Sequence, residues 1–175
     1  MNTTPLYIFD LDGTLADIAH RRHFVERPMA ECTCGWTHGL PICKNCGAKH
    51  PAQWKPDWDA FHAACVDDTP INAIIDVLAC VRHNESDVWI WSGRMSTVSA
   101  ETFRWLQDHH IRFDQLKMRP AGDYTPDDQL KESWLHAMSP EDRARLVMVF
   151  DDRDRVVNMW RRNGVVCAQV APGDF

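Results

Sequence analysis

"PLYIFDLDGTLAD", Pro5 to Asp17, drives a short apolar segment straight into two aspartates one residue apart, followed by a Gly-Thr turn. Pro5–Phe9 reads as a buried strand, because it is brief, apolar and β-rich. "DVWIW" (Asp87–Trp91), "LVMVF" (Leu146–Phe150) and "VVCAQV" (Val165–Val170) read the same way. Continuous apolar runs suit strands covered on both faces, as in a parallel sheet. Helical patterns lie between them. Thr69–His83 pairs a Thr cap with Pro in the first turn, and Ser96–His110 carries Val98, Phe103 and Leu106. Thr125–Met138 opens Thr-Pro with acids in its first turn, and Asp154–Gly164 ends on a glycine. Strand alternating with helix predicts an α/β three-layer sandwich around a mostly parallel sheet.

In such sheets ligands gather at the carboxyl ends of the strands. Asp10 and Asp12 follow the first strand, Ser92-Gly93-Arg94 the second, and Asp151-Asp152-Arg153 the third. Side chains alternate along an extended strand, so Asp10 and Asp12 could share a face, roughly 6–7 Å apart at the backbone. Clustered carboxylates repel, and burying them costs several kcal/mol unless something positive sits among them. A hard divalent cation such as Mg²⁺, held by a few carboxylates, water and a substrate phosphate, answers that need. Asp10, Asp12, Asp151 and Asp152 are the candidate Mg²⁺ ligands.

The bulk composition narrows the field. The 175 residues fit one globular domain, and 45% apolar residues suffice for a core. Most of the eight tryptophans are expected to pack. A formal net charge of −6 leaves no broad electrostatic footprint for nucleic acid, although a local basic patch remains open. Asp10 and Asp12 interrupt the apolar run near the N-terminus, and no run reaches membrane-helix length, so a cytoplasmic protein is expected.

Taken together, "FDLDGTLA", "WSGR", a downstream lysine and "VFDDR" resemble the haloacid dehalogenase-like phosphohydrolases, whose fold is a Rossmann-like sandwich. Closer still is the 3′-phosphatase domain of phage-type polynucleotide kinase/phosphatases. That resemblance runs through "FDLDGTLA", "SGR", "GDYTPDDQLKESWL" and "FDDRDRVVNMWRRNGVVCAQVAPGDF". No G-x-x-x-x-G-K-[ST] loop occurs, so a free-standing phosphatase is expected. The resemblance implies Asp10 as nucleophile, forming an aspartyl-phosphate. It implies Asp12 as the acid that protonates the leaving alcohol and then the base that activates water, a dual role that calls for a raised pKa. Ser92, Gly93 and Arg94 would bind phosphoryl oxygens, and Lys131 would neutralise phosphate and nucleophile. Lys117 lies near a comparable position, but Lys131 sits in "LKESW", which resembles the family's lysine motif. Arg21 has the spacing of a substrate-holding arginine, with Arg22 adjacent as the alternative and Arg119 a weaker candidate. Arg153 reads equally as a structural partner of the acids around it.

Glu31 to Lys55 breaks the pattern. It has no hydrophobic period, but it holds Cys32, Cys34, Cys43 and Cys46 as C-x-C and C-x-x-C pairs, each followed by glycine. Four thiolates at this spacing suit a closed, structural tetrahedral Zn²⁺ site. His38 or His50 could replace one cysteine. The chain thus divides into a phosphatase core, residues 1–30 and 56–175, and a zinc-knuckle insertion, residues 31–55, placed where related enzymes carry caps. Trp36, His38, Lys44, Lys49, His50 and Trp54 could stack bases and touch phosphates, or pack around the zinc loop. Cys65, Cys80 and Cys167 read as core residues.

The expected activity is Mg²⁺-dependent removal of 3′-phosphates from nucleic-acid ends or nucleotides. A phosphatase for 5′-nucleotides or other small phosphoesters is the alternative. A zinc-knuckle binding module on an inactive scaffold would require the loss of a catalytic group.

Overall fold

The computed structural model describes residues 3–26 and 55–173. The cysteines Cys32, Cys34, Cys43 and Cys46, and the insertion that holds them, lie outside the described residues.

A five-stranded sheet forms the centre. Its strands are β1 (Leu6–Phe9), β4 (Asp87–Met95), β5 (Gln115–Arg119), β6 (Leu146–Asp151) and β7 (Cys167–Gln169). They lie in the order β5-β4-β1-β6-β7, and every neighbouring pair is parallel. A short antiparallel pair, β2 (Ala16–Asp17) with β3 (Thr69–Pro70), stands beside it. Alternation along the strands sorts the core into two layers. Leu6, Ile8, Trp91 and Val149 face α4 (Asp127–His136) and α6 (Asp154–Arg162) through Leu130, Trp134, Val156 and Trp160. Phe9, Val88 and Ile90 face α2 (Asn72–His83) and α3 (Ser99–Asp108) through Leu78, Trp105 and Leu106. With both faces covered, the apolar strands carry out the expected parallel α/β design. No helix among the described residues is long and apolar enough to cross a membrane.

Several local expectations change. Thr69-Pro70 does not cap a helix. The two residues pair with β2, and the Ile71 N–H donates to the Leu15 carbonyl at 2.8 Å, which delays α2 to Asn72. Ser96–Val98 form a 3₁₀ turn before α3 begins at Ser99. β5 carries Lys117 and two other polar residues among its five, so it has no apolar run to betray it. Two short helices, α1 (Trp58–Ala63) and α5 (Pro140–Arg145), were equally hidden. Cys65 and Cys167 are buried as expected, but Cys80 is exposed. It lies two residues beyond the inward-facing Leu78, which turns it about 200° round the helix to the solvent side.

Candidate active site

The ends of β1, β4 and β6 converge, and α4 brings a fourth set of groups. Asp10 directly follows β1, and its N–H donates to the Phe150 carbonyl at 2.9 Å, which ties the backbone at the carboxylate to β6. Lys131, on α4 and 1% exposed, donates to Asp10 Oδ1 at 2.6 Å and Asp151 Oδ2 at 2.9 Å, and lies 3.4 Å from Asp127 Oδ2. Burial is the main reason the Asp10 carboxyl is pushed well above its ordinary range. Lys131 opposes that shift, and Asp151, Asp152 and Asp127 add to it. Asp152 is pushed up to about 6, by burial and then by Asp151. Lys131 itself is raised well above the usual lysine value. Burial works against its charge, but Asp10, Asp127 and Asp151 outweigh burial.

Asp10, Asp151 and Asp152 each offer a carboxylate oxygen within 4.8 Å of the other two. Asp152 Oδ1 is buried without a hydrogen-bond partner among the described residues. Three hard oxygens, one of them orphaned, against a single ammonium are a donor set that fits a divalent cation such as Mg²⁺. Gly13 makes the approach possible. It holds φ at +83°, and a Cβ there would lie 2.1 Å from Asp152 Oδ2.

Asp12 points elsewhere. Its carboxylate accepts from Arg94 Nε at 2.6 Å and Arg21 Nη2 at 2.8 Å, so its side chain is not part of the gathered trio. Burial would raise its pKa, but Arg94 and Arg21 outweigh burial and hold it below the ordinary aspartate value. This corrects the expectation of a raised pKa: the guanidiniums, not the crowding with Asp10, set the balance. Arg21 and Arg94 are both fully buried and share a second acid, Asp68. Asp68 also meets His20 at 2.9 Å through its carboxylate, and its carbonyl accepts from the Trp105 indole at 2.7 Å. Arg94 keeps one nitrogen, Nη1, buried and unpartnered among the described residues. Ser92 Oγ accepts from the Arg94 N–H at 3.1 Å. The β4–β5 register shifts between Ser92, which still pairs with Met118, and Met95, so Arg94 lies within the break.

The geometry adds groups that the sequence did not single out. Asp68 sits in "VDDTPI", where nothing marks it as more than a turn acid. Asp127 was read as a helix-dipole acid. Its position four residues before Lys131 was the available signal, since i and i+4 share a helix face. Arg119 is shown as a clamp: it donates to the Gly93 carbonyl at 2.8 Å, the Thr125 carbonyl at 2.5 Å and Asp127 Oδ1 at 3.1 Å. Lys117 lies instead 5.2 and 5.1 Å above the rings of Trp91 and Trp134, away from the carboxylates. Arg22 pairs with Glu26 at the surface. A cavity of about 230 Å³ opens over Asp10, Asp12, Gly93 and Asp127.

A family model described as the polynucleotide kinase PNKP phosphatase domain matches residues 57–175. The chain belongs to this haloacid dehalogenase-like family. Structures of a Pnkp1/Rnl/Hen1 complex superpose with a TM-score of 0.70 at 25% identity over 100% of the chain, which spans 49% of the matched chain. A haloacid dehalogenase-like hydrolase from Streptococcus pneumoniae matches with a TM-score of 0.57 at 14% identity, covering 97% of this chain and 85% of its own. A class C acid phosphatase from Bacillus anthracis matches with a TM-score of 0.54 at 15% identity, covering 89% of this chain and 54% of its own. The last two likenesses are of fold. Family membership makes the chain a PNKP-like phosphatase domain, built for phosphoric monoesters.

Proposed function

We propose that this domain is a Mg²⁺-dependent phosphatase that works through an aspartyl-phosphate on Asp10 and removes 3′-phosphates from nucleic-acid ends or nucleotides. The observation that carries the reading is the Asp10 carboxylate lining the cavity, with an orphaned oxygen of Asp152 in the trio it forms and an orphaned guanidinium nitrogen on Arg94, which is bonded to the cavity-lining Asp12. One position suits a cation and the other a phosphoryl oxygen, which is what an incoming phosphate dianion needs. Mg²⁺, when held by Asp10, Asp151 and Asp152, supplies positive charge for the transferring phosphoryl group.

The chain's own groups supply the rest. Lys131 opposes the upward shift that burial imposes on Asp10 and so favours its ionised, nucleophilic form. Asp10 attacks phosphorus as the P–O bond to the leaving alcohol breaks, and Asp12 delivers the proton to that oxygen. Asp12 is ionised while Arg21 and Arg94 hold it. A phosphate dianion engaging Arg94 weakens that hold, so the proton affinity of Asp12 rises and it takes up from solvent, as substrate binds, the proton that it delivers to the leaving oxygen. Asp12 then takes a proton from the water that cleaves the aspartyl-phosphate. Gly93 lines the cavity and, with the neighbouring buried Ser92 and Arg94, makes up the proposed phosphate-binding set, while Arg21 holds Asp12 in place.

We also read residues 31–55 as an insertion between a core of residues 1–30 and 56–175, with Zn²⁺ bound by Cys32, Cys34, Cys43 and Cys46. The family match beginning at residue 57 supports that boundary. Metal analysis of the purified protein tests it: one zinc is expected, and none in a Cys34→Ser variant.

The activity is tested by phosphate release with Mg²⁺ from four substrates: 3′- and 5′-phosphorylated oligonucleotides and 3′- and 5′-mononucleotides. Faster release from the 3′-phosphorylated pair is expected. A preference for the 5′-mononucleotide would instead make the protein a nucleotidase.

A further inference from the structure

Most tryptophans placed in the structure are hidden: Trp91, Trp105, Trp134 and Trp160 are all under 8% exposed. Trp58 is not, at 40%, and Tyr124 stands out at 73%. Both rings line the catalytic cavity. We infer that Tyr124 and Trp58 form a stacking platform for the nucleobase of the phosphate-bearing nucleotide, an inference that rests on the phosphatase reading above.

The platform is built rather than incidental. Tyr124 lies in the loop between β5 and α4, and its two neighbours are fixed. Arg119 donates to the Asp123 carbonyl at 3.4 Å and to the Thr125 carbonyl at 2.5 Å, while the Thr125 N–H donates to Asp123 Oδ1 at 2.8 Å. Among the described residues the Tyr124 side chain itself has no hydrogen bond and no ring partner. A rigid backbone therefore presents an unengaged ring, which keeps the entropy cost of stacking low.

Trp58 is held in a different way. It opens α1, where Asp57 caps the helix by accepting from the Ala60 N–H at 2.9 Å. Trp58, Phe61 and His62 then fall at i, i+3 and i+4 on one face. The Trp58 ring meets Phe61 edge-on at 5.7 Å and His62 at 6.2 Å. Phe61 in turn lies under the Arg21 guanidinium at 4.1 Å, so the aromatic row ends on the arginine that holds Asp12. Burial lowers the His62 pKa to about 4, so that neighbour is neutral and adds no competing charge at neutral pH.

Size places the base at the mouth. About 230 Å³ is smaller than the roughly 300–1,000 Å³ that encloses a drug-sized ligand. A nucleotide whose phosphate reaches Asp10 must leave its base outside, among the rim rings. Arg155, exposed on the same rim and without an ion pair among the described residues, offers a cation to an adjoining backbone phosphate. The platform thus selects single-stranded nucleotide ends over base-free sugar phosphates, and selects little among bases, since every base has a π-face.

The test compares each substrate with its base-free counterpart: a 3′-phosphorylated oligonucleotide against one with an abasic terminal sugar, and a mononucleotide against its sugar phosphate. For the wild type, KM is expected to be about tenfold lower with the base present. Tyr124→Ala and Trp58→Ala should each narrow that ratio, and Tyr124→Phe should restore it. Equal KM values with and without the base in the wild type, or an unchanged ratio in both alanine variants, would overturn the platform and leave the phosphatase standing. No phosphate release from any substrate would overturn both.

Discussion

Two charge clusters meet at the end of β1. On one side Asp10, Asp151 and Asp152 crowd around a single ammonium, Lys131, with Asp127 shared between Lys131 and Arg119. On the other, Asp12 and Asp68 face Arg21 and Arg94, two acids to two bases. The first cluster is short of positive charge, and burial raises the pKa of Asp10 and Asp152 there. The second is balanced, and the Asp12 pKa is lowered despite burial. Residues two apart on one strand end thus acquire opposite proton affinities. The unbalanced side is prepared for a cation, and the balanced side is a rigid frame that an anion can perturb.

The largest expected break comes from Asp10→Asn. Without a nucleophilic oxygen, turnover should fall by at least about 10⁴-fold. The fold should survive, because the change removes one of several repelling acids. Steady-state phosphate release beside a urea melt checks both halves, and near-wild-type turnover would remove Asp10 from the nucleophile's role.

Substitution of each cluster's counter-charge sharpens the contrast. Lys131→Met leaves three buried carboxylates without their ammonium and should cost about 3–5 kcal/mol in metal-free protein. Mg²⁺ should recover much of that loss, while inorganic phosphate should not. Asp68→Asn leaves two buried guanidiniums sharing Asp12 and should cost about 2–4 kcal/mol. There the rescue should be reversed, with sulfate or phosphate raising the melting temperature and Mg²⁺ having little effect. Urea unfolding of both variants, with and without each ion, checks the pair. The same ion rescuing both would dissolve the distinction between the clusters.

The sequence revealed one cluster far better than the other, for physical reasons. Asp10, Ser92, Arg94, Asp151 and Asp152 follow apolar strands, and the end of a buried parallel strand is where polar groups become conspicuous. Lys131 was found through a resemblance, and its partner Asp127 was overlooked because an acid in a first helical turn already has an ordinary explanation. Asp68 was illegible. It precedes a two-residue strand, and its importance comes from long-range contacts 47 and 26 residues away in the chain, to Arg21 and Arg94. The lowered pKa of Asp12 was missed for the same cause: crowding with Asp10 is visible in "DLD", whereas two guanidiniums converging from elsewhere are not. β5 was missed because an edge strand with one face on solvent carries polar residues such as Gln115 and Lys117.

The smallest effect is a pH drift, and its sign separates Asp10 and Asp152 from Asp12 and Asp127. Asp152 has an ordinary value of 3.8 and rises to about 6 in the fold. Between those values the folded protein keeps a proton that the unfolded chain has lost, so stability falls as pH rises through that window. Asp10 pushes in the same direction. Asp12 and Asp127 do the reverse: their lowered values add stability above about pH 4, which is lost as pH falls below it. His62, lowered from 6.5 to about 4 by burial, works against this drift over the same window, so the acids' contribution is read in a His62→Gln variant, whose metal-free form should lose stability between pH 4 and pH 6. Mg²⁺ should flatten that decline, because a cation among Asp10, Asp151 and Asp152 favours their ionised forms. Melting temperatures across pH, with EDTA and then with excess Mg²⁺, measure the drift. A rise from pH 4 to pH 6 in the metal-free His62→Gln variant would mean that Lys131 alone balances the trio, and the reason for placing a cation there would be gone.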